Sequence, residues 1–199
     1  MTVVAGAAEF NDTVEIGDPA PVWNDLPGVD GMSHSLADLE SAKVIVLVFT
    51  CNSCPYAVDA EDRLIALDQL GRKKGFVVVA INVNKVPDDL LPAMKERAGK
   101  KKFEFPYLFD ESQQIAKDYG ARNTPQLFVI DADRTIAYMG SLDDSPDGRN
   151  VTKKYAEDAV LALLQGKKPV VTETVPVGCR IRFDRARRTS RPVPTSDAN

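Results

Sequence analysis

Lys43-Val44-Ile45-Val46-Leu47-Val48-Phe49-Thr50-Cys51-Asn52-Ser53-Cys54-Pro55 is the stretch that decides the fold. Six consecutive apolar residues, rich in β-branched side chains, read as a strand buried on both faces. Two thiols spaced Cys-x-x-Cys follow at once. Beyond them Ala57, Ala60, Leu64, Leu67 and Gly71 recur at intervals of three and four, which predicts an amphipathic helix. Pro55 then stands in the first helical turn, where a missing N–H costs least. A dithiol at a helix start can close into a disulfide. The unpaired amides and positive dipole end of the helix favour thiolate over thiol. Cys51 is thus the expected nucleophile and Cys54 the expected resolving thiol. The same spacing also serves zinc, for which only Cys179 and His34 remain as soft ligands. Two packed, unused thiols are the other alternative.

Working outward, Gly75 to Asn82 forms a second apolar strand, so strand, helix and strand make a βαβ unit with parallel pairing. Asp88 and Asp89 open a helix that runs to about Ala98, and Lys100-Lys101-Lys102 closes it as a solvated cap. Phe103 to Phe109, interrupted by Pro106, is at best an edge strand. Asp110 caps a helix from about Glu111 to Tyr119, stopped by Gly120. Gln126 to Ile130 and Thr135 to Gly140 flank the turn Asp131 to Arg134, a β-hairpin that makes the sheet mixed. A last helix spans Val151 to Gln165. Towards the N-terminus, Gly17 to Trp23 is a lead-in loop, Trp23 and Leu26 seal an edge of the core, and Leu36 to Leu39 is one helical turn. His34 reads as a solvent-facing loop residue, and Asp59, Glu61 and Asp62 as solvated helix charges.

With 199 residues and 44% apolar content the chain supports one packed domain, 1–168, followed by a tail, 169–199. Val177 to Ile181 docks as a short extended segment, and the Arg-, Ser- and Pro-rich end is disordered by composition. Six arginines from Arg180 onward face only Asp184 and Asp197, giving the end +4 and the body −8 within a total of −4. An acidic body of this kind is not a nucleic-acid binder. No apolar run reaches 18 residues, so no membrane span is expected. The first ten residues lack a basic start and an apolar stretch, which points to a cytoplasmic protein unless a leader has been removed. Three cysteines are too few for a disulfide-stapled scaffold, and a Cys-x-x-Cys amid alternating strands and helices reads as redox-active.

The order of elements resembles the thioredoxin fold in its redoxin form, from about Gly17 to Gly166. That is an α/β fold with a central mixed sheet flanked by helices, an N-terminal extension and an insertion. A closer likeness rests on Phe49-x-Cys51-Asn52-x-Cys54-Pro55-Tyr56, Phe105 to Glu111, Ser141 to Ser145, and Pro176-x-Gly178-Cys179 with Ile181. These are similar to a peroxiredoxin-like group within the AhpC/TSA–redoxin superfamily, whose members are usually described as thiol–disulfide isomerase/thioredoxin or peroxiredoxin-related. The resemblance implies that Pro125 is cis, and that Thr124 and Pro125 lie against the dithiol and bind an extended substrate. In peroxiredoxins the reactive cysteine aligns with Cys54, within Pro-x-x-x-Thr/Ser-x-x-Cys. Here Cys51 stands where the hydroxyl belongs, Leu47 where the proline belongs, and Thr50 one place too early. Arg122 lies near the loop that supplies a peroxidatic arginine and is left unassigned.

Three functions follow as expectations. The first is dithiol–disulfide exchange on a protein or small-molecule disulfide, with a reductase or oxidant as partner and no metal or organic cofactor. The second is a thiol peroxidase, resolved by the other cysteine or by Cys179. The third is a redox-sensing or binding module, with Cys179 as a possible third redox thiol. Monomer and dimer are both compatible with the sequence.

Overall fold

The computed structural model describes residues 8–184. Expectations for residues 1–7 and for the end beyond Asp184 lie outside the described residues. A small hairpin of β1 (Leu26–Pro27) and β2 (Ser33–His34) precedes a single turn of 3-10 helix, Leu36–Leu39. The apolar run then forms β3 (Ile45–Phe49), every residue buried. It leads through the thiols into α1 (Pro55–Lys74) and back into β4 (Val77–Asn82). β3 and β4 pair in parallel, as the βαβ reading requires. α1 ends where Gly75 takes a left-handed conformation, φ 87°, that a side chain would oppose.

The chain continues through α2 (Leu91–Lys101), β5 (Tyr107–Phe109), α3 (Gln114–Asp118), β6 (Asn123–Thr124), β7 (Gln126–Ile130), β8 (Ile136–Gly140), α4 (Tyr155–Leu164) and β9 (Cys179–Arg180). The central sheet has the order β5-β4-β3-β7-β8, with β7 antiparallel to both neighbours. β5 is the edge strand that Pro106 foreshadowed. Strand alternation divides the core in two. Ile45, Leu47 and Phe49 face one cluster with Trp23, Tyr119 and Phe128. Val46 and Val48 face the other with Leu64 and Leu67 of α1, Met94 of α2 and Val160 of α4. Among the described residues no helix is long and apolar enough to cross a membrane.

Three helix starts differ from expectation. Asp88 and Asp89 belong to a 3-10 turn, Pro87–Asp89, and α2 begins only at Leu91. α3 starts at Gln114, because Gln113 sits at φ 61° while its side-chain amide donates to the Val83 and Arg182 carbonyls at 2.8 and 2.9 Å. α4 starts at Tyr155, because the Asp144 carboxylate accepts the Thr152 and Lys153 amides at 2.8 and 3.0 Å and holds them outside the helix. One side chain is corrected outright. Glu61 is not solvated: it is buried, and it accepts two 2.7 Å hydrogen bonds from Arg97. Asp59 and Asp62 are exposed as expected.

The ring of Phe49 lies 5.7 Å from Tyr119 and 5.9 Å from Phe128, centroid to centroid, with no exposed surface. Phe49→Ala should therefore cost about 3–5 kcal/mol, read as a lower urea midpoint with unchanged slope.

Candidate active site

The thiols sit where β3 and β7 end side by side. Phe49 pairs with Gln126, so Cys51, two residues beyond β3, meets Thr124, two residues before β7. Thr124 is 1% exposed, and its bond to Pro125 is cis. The Thr124 hydroxyl lies 3.4 Å from Cys51 Sγ, and its carbonyl lies 3.0 Å from Cys54 Sγ. Cys51 and Cys54 are both free and buried, at 3% and 2% exposure. Each sulfur is within hydrogen-bonding reach of the other.

The turn between them is held from below. Asp89, fully buried, accepts the Asn52 and Ser53 amides at 2.8 Å each and the Ser53 hydroxyl at 2.6 Å. The Asn52 side chain donates to the Asp88 carbonyl at 2.8 Å and accepts from the Tyr107 hydroxyl at 3.1 Å. Burial, then the neighbouring Cys51 and Asp89, push the Tyr107 phenol well up, so it remains a neutral donor. Asp89 and Tyr107 were not expected at the site. An acid beside a helix start reads as a dipole partner, and nothing local shows that its acceptors serve residues 36 and 37 positions away.

The first-turn amides of α1 settle where negative charge is favoured. Pro55 has none. Val58 N–H donates to the Cys54 carbonyl at 3.0 Å. The helix therefore begins behind Cys54, which is its N-cap, rather than behind Cys51. Hydrogen bonding from Cys51, reinforced by Cys179, the Ala57 amide and the Thr124 hydroxyl, draws the Cys54 thiol down to about 4. The same sulfur–sulfur contact, burial and the Asp89 charge push Cys51 up. The Thr124 carbonyl opposes a thiolate on Cys54, but it is one acceptor against four donors. The two sulfurs titrate as one pair, contact between them lowering Cys54 and raising Cys51.

Cys179 packs against Cys51, Cys54 and Ala57 and is half-buried; burial, then Cys54, push its thiol up to about 11. It arrives on β9, which pairs antiparallel with β6, Cys179 opposite Thr124. Of the remaining candidates, His34 bonds Asp30 at 2.9 Å in the β1–β2 hairpin, and Arg122 is engaged by Asp12. A groove of about 440 Å³, lined by Arg63, Leu67, Leu70 and Leu142 among others, contains none of the three cysteines.

Comparison with known proteins shows the family and the fold. The AhpC/TSA family model matches residues 16–139. An uncharacterized conserved protein from Geobacillus kaustophilus is 34% identical, with a TM-score of 0.83 over 88% of this chain and 96% of that one. A hypothetical protein from Sinorhizobium meliloti 1021 is 31% identical, with a TM-score of 0.82 over 88% and 98%. A putative thiol:disulfide interchange protein, DsbE, from Chlorobium tepidum is 27% identical, with a TM-score of 0.55 over 63% and 84%. No curated protein matches the sequence.

The charge assignment has a direct check in the thiolate absorbance near 240 nm during a pH titration of reduced protein. One thiolate should persist down to about pH 4, where Cys54 takes up its proton. Because the folded value is lowered, the thiolate's stabilising contacts are complete above the ordinary thiol range and lost as pH falls through the folded value; the raised Cys51 works in the opposite sense. Cys54→Ser should abolish the low-pH thiolate, and Cys51→Ala should move it upward by removing its main donor. Survival of the signal in Cys54→Ser would place the charge on Cys51.

Proposed function

Since the chain belongs to the AhpC/TSA family of thiol-based redox proteins, with three thiols at one helix start, we propose that it is a thiol–disulfide oxidoreductase working through the Cys51–Cys54 dithiol. The observation that carries the reading is two free, buried thiols on one turn at a helix start, packed together beside the cis Thr124–Pro125 bond. The likeness to a putative thiol:disulfide interchange protein supports it.

In the forward direction the thiolate attacks a substrate disulfide. One substrate sulfur leaves as thiolate, and a mixed disulfide forms on the protein. The second protein thiol gives up its proton and attacks the protein sulfur of that mixed disulfide. The remaining substrate sulfur departs, and Cys51 and Cys54 are joined. Two electrons have passed to the substrate. A reductase partner returns them, or an oxidant drives the cycle the other way. The charge on Cys54 makes it the first attacker and Cys51 the resolving thiol; the sequence order alone suggests the converse.

A second reading, thiol peroxidase, draws on one observation: the charged sulfur is an N-cap residue at the position the family resemblance gives to the peroxidatic cysteine. Cys54 thiolate would take one peroxide oxygen to become sulfenic acid, releasing alcohol or water, and Cys51 would condense with it, releasing water.

Trapping separates these roles. With a small aromatic disulfide as substrate, Cys51→Ser combined with Cys179→Ser should accumulate a mixed disulfide on Cys54, visible by intact mass, and turnover should stop in that variant and in Cys54→Ser. Accumulation only on Cys51, in Cys54→Ser, would restore the sequence order. Failure of the wild type to reduce any test disulfide would sink the oxidoreductase reading. Peroxide consumption no faster than in alkylated protein, followed by stopped flow, would dispose of the second reading.

A further inference from the structure

Cys179 is not a free thiol on a loose tail. The chain from Thr172 to Asp184 is fixed at many points. Thr174 N–H donates to the Met139 carbonyl at 3.1 Å, and the Thr174 side chain accepts Ser141 N–H at 2.9 Å. Ser141 Oγ donates to the Val175 carbonyl at 2.8 Å. Asn123 Nδ2 donates to the Gly178 carbonyl at 2.9 Å, and Ile181 N–H to the Arg122 carbonyl at 2.8 Å. Ile181 is buried in the core cluster of Trp23 and Phe128. On the far side, Arg182 N–H donates to Asn84 and Asp184 N–H to Gln113.

The approach to the thiols is closest at Gly178. A Cβ there would stand 2.2 Å from the Thr124 carbonyl oxygen and 3.1 Å from Pro125 N. Only glycine lets the backbone lie this near the Thr124–Pro125 peptide. The next residue is Cys179, opposite Thr124 in register. Cys54 is the N-cap residue of α1, and Cys179 packs against it and Ala57 at the helix start. Cys54 therefore has two sulfur neighbours, Cys51 and Cys179, in one packed cluster.

We propose that Cys179 is a third redox thiol that exchanges with the Cys51–Cys54 disulfide to form a Cys54–Cys179 disulfide, tying β9 down over the pair. This rests on the dithiol reading above. Cys179, as thiolate, attacks Cys54 Sγ; the Cys54–Cys179 bond forms and the Cys51–Cys54 bond breaks. Cys51 leaves as thiolate and takes up the proton that Cys179 lost. No net oxidation occurs, so the step needs no oxidant beyond the one that made the first disulfide. In the reduced protein burial, and after it the neighbouring Cys54, hold the Cys179 proton; the second of these is removed once Cys54 is in a disulfide. The backbone edge of β6 that an incoming extended peptide would use is already paired to β9. The Cys54–Cys179 bond would make that occupation permanent until it is reduced.

The test uses full-length protein oxidised with diamide, alkylated, digested without reductant and mapped by mass spectrometry. Cys51→Ser should lose both remaining thiols within one chain and yield the peptide containing Cys54 joined to the peptide containing Cys179. Gly178→Val, placed in the same background, should slow that bridge by roughly tenfold or more by moving the strand away. Two thiols that stay alkylatable in Cys51→Ser, or bridges only between chains, would overturn the inference, as would a Gly178→Val bridge formed at an unchanged rate. Cys179→Ser separates the two readings. If it still forms the Cys51–Cys54 disulfide while Cys51→Ser forms no bridge, only the third-thiol inference falls. If Cys179→Ser forms no disulfide, the dithiol function itself fails.

Discussion

The antiparallel register of β3 and β7 is the constraint on which the site depends. With Phe49 opposite Gln126, the chain leaving β3 and the chain entering β7 must run side by side, and Cys51 and Thr124 come together. The register is set in turn by burial on both faces. Ile45, Leu47 and Phe49 fill one core cluster, and Val46 and Val48 the other. A slip of one residue would exchange the two sets, sending the Phe49 ring away from Tyr119 and Phe128 and carrying the thiols away from Thr124. The apolar packing thus pins in place a polar arrangement that could not hold itself together: two buried sulfurs, a buried carbonyl and a buried carboxylate.

That carboxylate adds to the asymmetry of the pair, after the contact with Cys54 and burial. Asp89 is satisfied by three donors from Asn52 and Ser53, so its burial is compensated. Its charge still reaches Cys51 and disfavours a second thiolate there. The helix amide at Ala57 and the thiol of Cys179 act on Cys54 instead. The two ends of the Cys-x-x-Cys turn therefore lie in opposite fields, one held by an acid and the other by donors. A dithiol that keeps one proton has both things exchange requires: a nucleophile at neutral pH, and a proton close by for a leaving sulfur.

Much of this was legible in the sequence, wherever the signal was local and periodic. The buried strand, the helix behind the thiols, the parallel return strand and the hairpin follow from runs and spacings within about twenty residues. Helix starts were misjudged where a tertiary contact decided them: Gln113 reaching to Val83 and Arg182, or Asp144 gathering the Thr152 and Lys153 amides. Glu61 could have been found. It sits four residues after Ala57 and three before Leu64, on the stripe that faces the core, and a charge at such a place calls for a partner. The role of Asp89 carried no comparable sign, because its neighbours in sequence are not its neighbours in space. Thr124 and Pro125 entered through family resemblance and not through any pattern of their own.

The composition shift towards the C-terminus marks a tail in which Val177 to Ile181 is expected to dock; the fold uses this segment as far as Asp184. Its attachment differs in kind from that of the core. Apart from Ile181 it is held mainly by polar contacts at the surface, and Val175 and Val177 remain exposed. Segments of that type open at a lower free-energy cost than strands buried on both faces. Both central thiols are 3% exposed or less, so no disulfide reaches them without movement of a covering element. β6 is joined to β7 within the core, and α1 is packed along its length, whereas β9 contributes two residues held across a single edge. The strand that brings Cys179 to the pair is thus held differently from the elements beside it, and Gly178 sets how closely it approaches Thr124.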